Sequence, residues 1–302
     1  MNFIVTTSIY SPSKALLAFA AKKGWQVIVV GDLKTPHQEY VDLPSCIYLS
    51  PEYQEQTWPA LSGLIGWNKI MRRTFGLLEA YSRGAEVIAT VDDDNIPYES
   101  WGEDLYVGQT IDVDCFEPEN SVFDPLSVTE YNNLWHRGYP LELVKTKNRV
   151  IYKGKIKRRV LVQANLWDGD PDIDAVERIA WQPTVKFESI KEPYCSNRVS
   201  PFNSQNTFLS REVIPYYLIL PFVGRMDDIW PSYILQKFIG DCVVYDRPTV
   251  YQDRNPQNLV TNMKNEIIGY EHTLKLIEAI DWMSVLPTEA QAVYREYMAF
   301  FK

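Results

Sequence analysis

The chain has 302 residues, of which 46% are hydrophobic and 23% are charged, a composition typical of a globular protein with a substantial core. Its formal net charge is -9 at pH 7, from 30 basic and 39 acidic residues. Because nucleic-acid binding needs a dense basic surface, this balance excludes that class of function. The basic cluster at residues 153–159 is interpreted as a solvated turn or strand edge, with a phosphate or acidic-acceptor contact as the alternative.

The first hundred residues alternate between strand and helix patterns. Residues 3–7 and 25–30 are apolar runs that predict strands, and the segment between them, 11–24, has the capped and amphipathic pattern of a helix. A strand–helix–strand unit of this kind is parallel and right-handed in nearly all proteins. Residues 46–49 predict a third strand, whereas residues 59–67 show no regular pattern.

The segment from residue 68 to residue 83 has the best helix pattern of the chain and stops at Gly84. A strand is predicted over residues 86–91. Residues 99–193 are less regular, and residues 248–265 are predicted to form a loop over the sheet. The remaining predicted strands are 204–210 and 242–245, and the remaining predicted helices are 230–240, 273–280 and 288–301.

Targeting signals and cysteine usage indicate the compartment. No apolar run approaches the roughly 20 residues that a membrane helix needs, and the N-terminus lacks the pattern of a signal peptide. The cysteines have no metal-ligand spacing and are expected to be buried thiols in a reducing compartment. We therefore expect a cytoplasmic protein without a membrane span. The cysteines are Cys46, Cys115, Cys195 and Cys242.

Three consecutive aspartates, Asp92, Asp93 and Asp94, directly follow the predicted strand 86–91. In open parallel sheets, ligands bind outside the carboxyl ends of the strands. Carboxylates at alternate positions can share a hard cation such as Mg²⁺ or Mn²⁺, which also binds substrate phosphates. An acidic turn is the structural alternative, but repulsion between adjacent like charges disfavours it. We predict that Asp92 and Asp94 bind the metal and that Asp93 contacts a nucleotide sugar.

Two further groups of residues are candidates for nucleotide contacts. Thr6, Thr7 and Asp32 lie where the first two strands end, which is where a nucleotide binds in such sheets. At the start of the long predicted helix, two residues four positions apart share a face, and an arginine fork there suits a diphosphate. A solvated helix flank is the alternative for this second group. The second group consists of Asn68, Arg72 and Arg73.

Two later segments carry candidate catalytic residues. Asp227 and Asp228 follow a glycine turn and could deprotonate an acceptor hydroxyl, although they could instead cap the following helix. Arg137 lies in an aromatic Gly–Pro turn that could face a sugar or could simply be packed. The aspartate-rich segment 166–174 lacks the glycine that an EF-hand has at its sixth position and the glutamate that it has at its twelfth. A rigid loop is therefore expected there rather than a calcium site.

The order of these segments resembles a known family group. VDDDN, RGYPL, LWDGDPDIDA, SPFNSQNTFLSREVI and GRMDDIW occur in that order within residues 68–255. They are similar to the reversibly glycosylated polypeptides, or UDP-arabinopyranose mutases, and to the STELLO-type glycosyltransferases. The resemblance implies a GT-A-like fold, a UDP-sugar ligand and a divalent metal. It also implies that Arg137 matches the arginine that is reversibly glycosylated in the mutases.

The sequence departs from each group at one point. The mutases carry a second arginine shortly after RGYP, whereas residues 141–144 here contain none. The loop 166–175 is closer to the STELLO type, whose members are membrane-anchored. Because this sequence shows no anchor, we expect a free-standing catalytic domain.

We therefore predict an α/β, GT-A-like (Rossmann-type) fold with a mostly parallel sheet, helices on both faces and an elaborated C-terminal half. Residues 1–302 should form one domain, with a nucleotide-binding part at 1–98 and a sugar and acceptor part with closing helices at 99–302. The expected function is metal-dependent transfer from a UDP-sugar to an unknown glycan, lipid or protein. The alternatives are a self-glycosylating UDP-sugar mutase and a non-catalytic nucleotide-sugar-binding protein.

Overall fold

The computed structural model describes residues 1–43 and 46–302. Its N-terminal part alternates strands with helices, as the sequence predicts. The strands are β1 (Asn2–Thr7), β2 (Trp25–Val30), β3 (Cys46–Leu49) and β4 (Val87–Val91). The helices are α1 (Lys14–Ala20), α2 (His37–Val41), α3 (Pro51–Thr57), α4 (Pro59–Ile65) and α5 (Arg73–Ser82).

The C-terminal part contributes more strands than helices. Its strands are β5 (Asn95–Pro97), β6 (Thr110–Pro118), β7 (Val150–Arg159), β8 (Val162–Asn165), β9 (Asp168–Gly169), β10 (Tyr194–Cys195), β11 (Asn206–Ser210), β12 (Val243–Asp246) and β13 (Val250–Gln252). Its helices are α6 (Ala175–Trp181), α7 (Ile229–Ile239), α8 (Leu259–Glu278) and α9 (Thr288–Ala299).

A ten-stranded sheet in the order β3-β2-β1-β4-β11-β8-β12-β10-β6-β7 runs through both parts of the chain. Strands β3, β2, β1 and β4 are parallel, and β11 pairs antiparallel with β4. A small second sheet has the order β5-β13-β9, and its strand β5 follows closely after β4 in the sequence. The predicted GT-A-like α/β fold is confirmed by this arrangement.

Helices cover both faces of the sheet because alternate residues of β1 point in opposite directions. Phe3 and Val5 pack in one buried cluster with Phe75 of α5. Ile4 packs in a second cluster with Leu16 and Phe19 of α1. The two clusters enclose the sheet from either side, so β1 and β4 are buried and their carboxyl ends are fixed in place.

The structure corrects the helix predicted over residues 68–83. Asn68 has a left-handed φ of 58°, and a short 3₁₀ turn at Ile70–Arg72 precedes α5. The carboxylate of Asp32 accepts hydrogen bonds from the backbone N–H groups of Asn68 and Lys69, at 2.8 and 3.1 Å. These bonds hold residues 66–69 in a loop at the carboxyl end of the strands. The helix therefore begins later in the chain than its apolar pattern predicts.

Other segments differ from the sequence pattern or agree with it. The segment 59–67, for which no regular structure was expected, contains α4, and the predicted loop 248–265 contains β13 and the start of α8. The basic cluster lies on the edge strand β7, as interpreted, where Lys155 pairs with Glu192 at 3.2 Å. Within the described ranges, no helix is both long and apolar enough to cross a membrane.

Candidate active site

A cleft of about 610 Å³ lies at the carboxyl end of β4 and adjoins a second pocket of about 250 Å³ beside the ends of β1 and β2. Thr7, Lys69, Ile70 and Asp93 line both spaces. The cleft brings together the separate segments that the sequence singles out. They contribute Asp92, Asp93, Asp94, Arg137, Asp172, Ser204, Gln205, Arg225, Asp227 and Asp228.

The three aspartates after β4 all line the cleft, and each has a protein partner, which for the Asp93 side chain is Ser8. Arg73 donates from Nη2 to Oδ1 of Asp92 at 2.5 Å, and Gln252 donates to Oδ1 of Asp94 at 2.8 Å. Burial and the charge of Asp92 raise the pKa of Asp94 to about 6. Burial also raises the pKa of Asp93. The carboxylates therefore lie close enough to repel one another, and they are half-buried. A bound cation would relieve this repulsion.

The donor set at Asp92 and Asp94 fits a metal that is shared with a substrate. Within residues 1–43 and 46–302, no three His, Cys, Asp or Glu side chains converge to enclose an ion by themselves. Mg²⁺ in phosphate-transferring sites is commonly held by only one or two carboxylates, with substrate phosphates and water completing its shell. Asp92 and Asp94 therefore remain the predicted ligands.

The second pocket is the predicted nucleoside site, and its lining differs in part from the prediction. Thr7, Asp32 and Asn68 line it. Thr6 is 1% exposed and donates to the carbonyl of Thr7, so it supports the strand end and lies behind the pocket wall. Both oxygens of Asp32 are engaged by backbone N–H groups, including that of Leu33 at 2.6 Å.

Arg72 does not offer the free fork that was predicted for a diphosphate. Its side chain is fully buried and donates to Gln54 at 2.7 Å, to the Gly66 carbonyl at 2.9 Å and to Ser62 at 3.0 Å. The guanidinium also stacks on the Trp67 ring, with its carbon 3.3 Å from the centroid. Burial lowers its pKa to about 10. These contacts use three of its donors to hold the loop between α4 and α5, although Arg72 also lines the smaller pocket, so its diphosphate contact stays a prediction.

Arg73 lines the cleft but is also committed to protein partners. Besides Asp92, it donates from Nη1 to the Ser204 carbonyl at 3.1 Å and to the Ser204 hydroxyl at 2.8 Å. It thereby joins the start of α5, the end of β4 and the segment before β11. Its Nε–H is buried without a hydrogen-bond partner in the described part of the chain.

Lys69, to which no sequence motif points, is the cation at the junction of the two spaces. No carboxylate among the described residues forms an ion pair with its ammonium, which lies 4.6 Å from the ring centroid of Phe222. A cation placed between a nucleoside pocket and a larger cleft can bind a diphosphate. Sequence spacing could not distinguish it from the two arginines that follow.

Asp227 and Asp228 have different environments. Asp228 accepts hydrogen bonds from Arg137 at 3.0 Å, from the Ser204 backbone N–H at 2.9 Å and from the Ser204 hydroxyl at 3.1 Å. Asp228 is the N-cap residue of α7, as the capping alternative predicts, but its side chain accepts no hydrogen bond from the first turn of the helix. The Asp227 carboxylate faces the cleft and accepts no hydrogen bond from the described residues. Burial and the charge of Asp228 raise the pKa of Asp227 to about 7.

Arg137 is the centre of a buried ion-pair network. It donates to both oxygens of Asp172, at 2.8 and 2.9 Å, to Asp228, and to the carbonyl of Arg225. Burial alone would lower the pKa of Arg137, but Asp172 and Asp228 raise it well above its ordinary value. Asp172 comes from the loop 166–174, which has the structural role that was expected for it.

Arg254 is a second cation of the cleft, and no sequence motif points to it. It lines the cleft and is 93% buried, and the backbone N–H of Asp253 donates to the Asp94 carbonyl at 3.1 Å. Burial lowers the pKa of Arg254. Its Nε–H lies 3.4 Å from Asp170 but makes no hydrogen bond within the described residues. This arginine therefore has donor capacity for an anion in the cleft.

No protein-family model matches the chain. The chain is similar to the probable glycosyltransferases STELLO2 and STELLO1 of Arabidopsis thaliana, with 26% and 25% identity over 275 residues. Each similarity covers 83% of this chain and 35% of the relative, so the chain spans about a third of their length. These findings support the STELLO-type part of the resemblance and give no support to the mutase part.

Proposed function

We propose that the chain is a metal-dependent glycosyltransferase that uses a UDP-sugar as its donor. The observation that carries this proposal is the continuous cleft in which Asp92, Asp93 and Asp94 meet a carboxylate, Asp227, whose pKa is raised to about 7. The relatives STELLO2 and STELLO1, which are named probable glycosyltransferases, support it. The acceptor belongs to the larger cleft, and the nucleoside belongs to the smaller pocket.

The donor diphosphate lies, in this proposal, where the two spaces join. Lys69 donates to it from the nucleoside side, and Arg254 donates from the segment beside Asp94. A bound Mg²⁺ or Mn²⁺, held by Asp92 and Asp94, would neutralise the charge that develops on the leaving nucleotide. Arg73 keeps Asp92 in position rather than binding phosphate, because its contacts to Asp92 and Ser204 are already made.

Asp227 is the proposed general base. A base is most effective when its pKa lies near the working pH, and the pKa of Asp227 is about 7. The carboxylate would accept the proton of an acceptor hydroxyl as the hydroxyl oxygen attacks the donor sugar. Asp228 is a positioning residue, since its oxygens are bound by Arg137 and Ser204.

The environment of Arg137 favours a transferase over the mutase alternative. A guanidinium must lose a proton to form a covalent bond to a sugar, and the paired carboxylates hold Arg137 in its protonated form. Its Nε and Nη2 are also occupied by Asp172 and Asp228. Arg137 therefore acts, in this proposal, by holding Asp228 and the turn beside Asp227.

The proposal is tested by incubating the protein with a panel of UDP-sugars and Mn²⁺, with and without EDTA, and by analysing nucleotides and protein by mass spectrometry. We expect metal-dependent release of UDP, by transfer to water when no acceptor is present. Full activity in excess EDTA would contradict the metal requirement. An isomerised UDP-sugar without UDP release would favour the mutase, and UDP binding without any turnover would favour the non-catalytic alternative.

A further inference from the structure

Phe222 has a backbone conformation that a bulky residue seldom adopts. Its φ is 68°, in the left-handed region, and it precedes Gly224, whose φ of 59° a glycine tolerates. The left-handed conformation costs an L-residue free energy, and residues that keep it are enriched at functional sites. The surrounding contacts must therefore hold Phe222 in place.

Those contacts close a short turn around Phe222. The Leu220 N–H donates to the Asp227 carbonyl at 2.7 Å, and the Met226 N–H donates to the Val223 carbonyl at 3.1 Å. Gly224 lies against the carbonyl of Asn265, with no room for a Cβ atom. The turn is thus fixed at both ends and on its outer side.

The turn points the Phe222 ring away from the core. Leu220 and Val223 are completely buried, whereas Phe222 is 41% exposed and lines the cleft. The hydrogen bond between Leu220 and Asp227 places the ring and the proposed base on the same turn. The ring and the proposed base therefore face the same cleft.

We propose that Phe222 is a stacking platform for a sugar ring of the acceptor, so that the acceptor is a carbohydrate. This inference rests on the proposed transferase function and adds the class of acceptor to it. The face of an aromatic ring is electron-rich and attracts positively polarised hydrogens, which the C–H groups of a pyranose present. The Lys69 ammonium, 4.6 Å from the ring centroid, already exploits the same property.

The position of the ring also explains why a sugar is favoured over a peptide or a lipid. The cleft around Phe222 is lined mainly by polar and charged side chains, including Asp227, Arg254 and Gln257. A pyranose can stack one face on the ring while its hydroxyls bind those polar groups. A lipid chain could contact Ile70, Met71 and Ile219 but would leave the charged side chains of the cleft without partners.

The test measures binding of methyl β-glucoside, methyl β-galactoside and methyl β-xyloside to the protein with UDP and Mn²⁺ present, by saturation-transfer NMR. A serine-containing tripeptide and glycerol serve as comparison ligands. We expect at least one glycoside to bind, and we expect Phe222→Leu to weaken its binding roughly three- to tenfold, the range typical of a lost aromatic contact. Phe222→Trp should bind the glycoside within about twofold of the wild type.

The controls separate this inference from the function on which it rests. The melting temperature of each variant reports whether the fold is intact, and the affinity for UDP with Mn²⁺, measured by calorimetry, reports whether the donor site is intact, including Lys69 beside the Phe222 ring. Failure of the wild type to bind UDP would contradict the transferase itself. If UDP binds normally, the inference is overturned by preferential binding of the peptide, by the absence of glycoside binding, or by equal effects of the leucine and tryptophan variants.

Discussion

Replacement of Asp227 by asparagine isolates the proposed base from every other part of the site. The side chains have nearly the same shape, and the described residues donate no hydrogen bond to the Asp227 carboxylate that the change could break. The variant should bind UDP as the wild type does, because the base acts on the acceptor. Transfer should fall by about 10²- to 10⁴-fold, the usual contribution of a positioned general base.

The same replacement should stabilise the folded protein at high pH. The pKa of Asp227 is about 7 in the folded protein, against an ordinary value of 3.8. Each unit by which folding shifts a pKa changes the free energy of unfolding by about 1.4 kcal/mol. Because burial and Asp228 raise this pKa, the folded state binds the proton more tightly than the unfolded state. The free energy of unfolding therefore decreases as the pH rises from about 4 to about 7. Above pH 7 the penalty reaches at most about 4 kcal/mol, and Asp227→Asn removes it.

Two assays together test this reasoning. Thermal unfolding at pH 5 and pH 8 should show a gain in melting temperature for Asp227→Asn that is larger at pH 8. The value of kcat/KM for the wild type should rise with pH and level off above about 7, whereas the variant should lose this dependence. Wild-type activity in Asp227→Asn, or a gain in stability that is equal at both pH values, would refute the assignment.

Three other expected outcomes concern the donor site and the mutase alternative. Asp94→Asn should weaken UDP binding at least about tenfold with Mn²⁺ but leave binding in EDTA unchanged, because only the metal-linked part is lost; calorimetry under both conditions checks this. Lys69→Ala should weaken UDP binding roughly ten- to hundredfold more than uridine binding, whereas Arg72→Ala should lower the melting temperature with a smaller effect on this difference. Equal losses for UDP and uridine in Lys69→Ala would contradict the diphosphate contact. Peptide mass spectrometry after incubation with UDP-sugars should find Arg137 unmodified, and a reversible sugar adduct there would contradict the transferase.

The sequence predicts the N-terminal strands well because their apolar runs are short and bounded by loop residues. The predicted ranges 25–30 and 46–49 coincide with β2 and β3. The helix α4, which the sequence analysis does not predict, begins with Pro59, a residue favoured in the first turn of a helix. In this segment, the proline at the start of the helix therefore predicts the helix better than the amino-acid composition does.

The acidic part of the site was predictable, but the roles of its cations were not. A strand that ends in three aspartates shows where they lie, whatever the rest of the chain does. The helical spacing of Asn68 and Arg72 predicts that they share a face. It does not predict that Arg72 donates a hydrogen bond to Gln54. Arg254 follows no motif, and its place beside Asp94 depends on the pairing of β13 with β5. Such long-range pairings are not encoded in local spacing.

The pairing of β4 with β11 bears on how the chain reaches its folded state. Strand β4, which delivers the three aspartates, has β1 on one side and β11 on the other, and β11 lies more than a hundred residues later in the chain. During synthesis, the backbone groups on one edge of β4 therefore have no strand to pair with until residues 206–210 have left the ribosome. An open apolar edge of this kind invites pairing with other chains. The first hundred residues are consequently a poor choice for expression as a separate fragment, although they contain the aspartates and most of the nucleoside pocket.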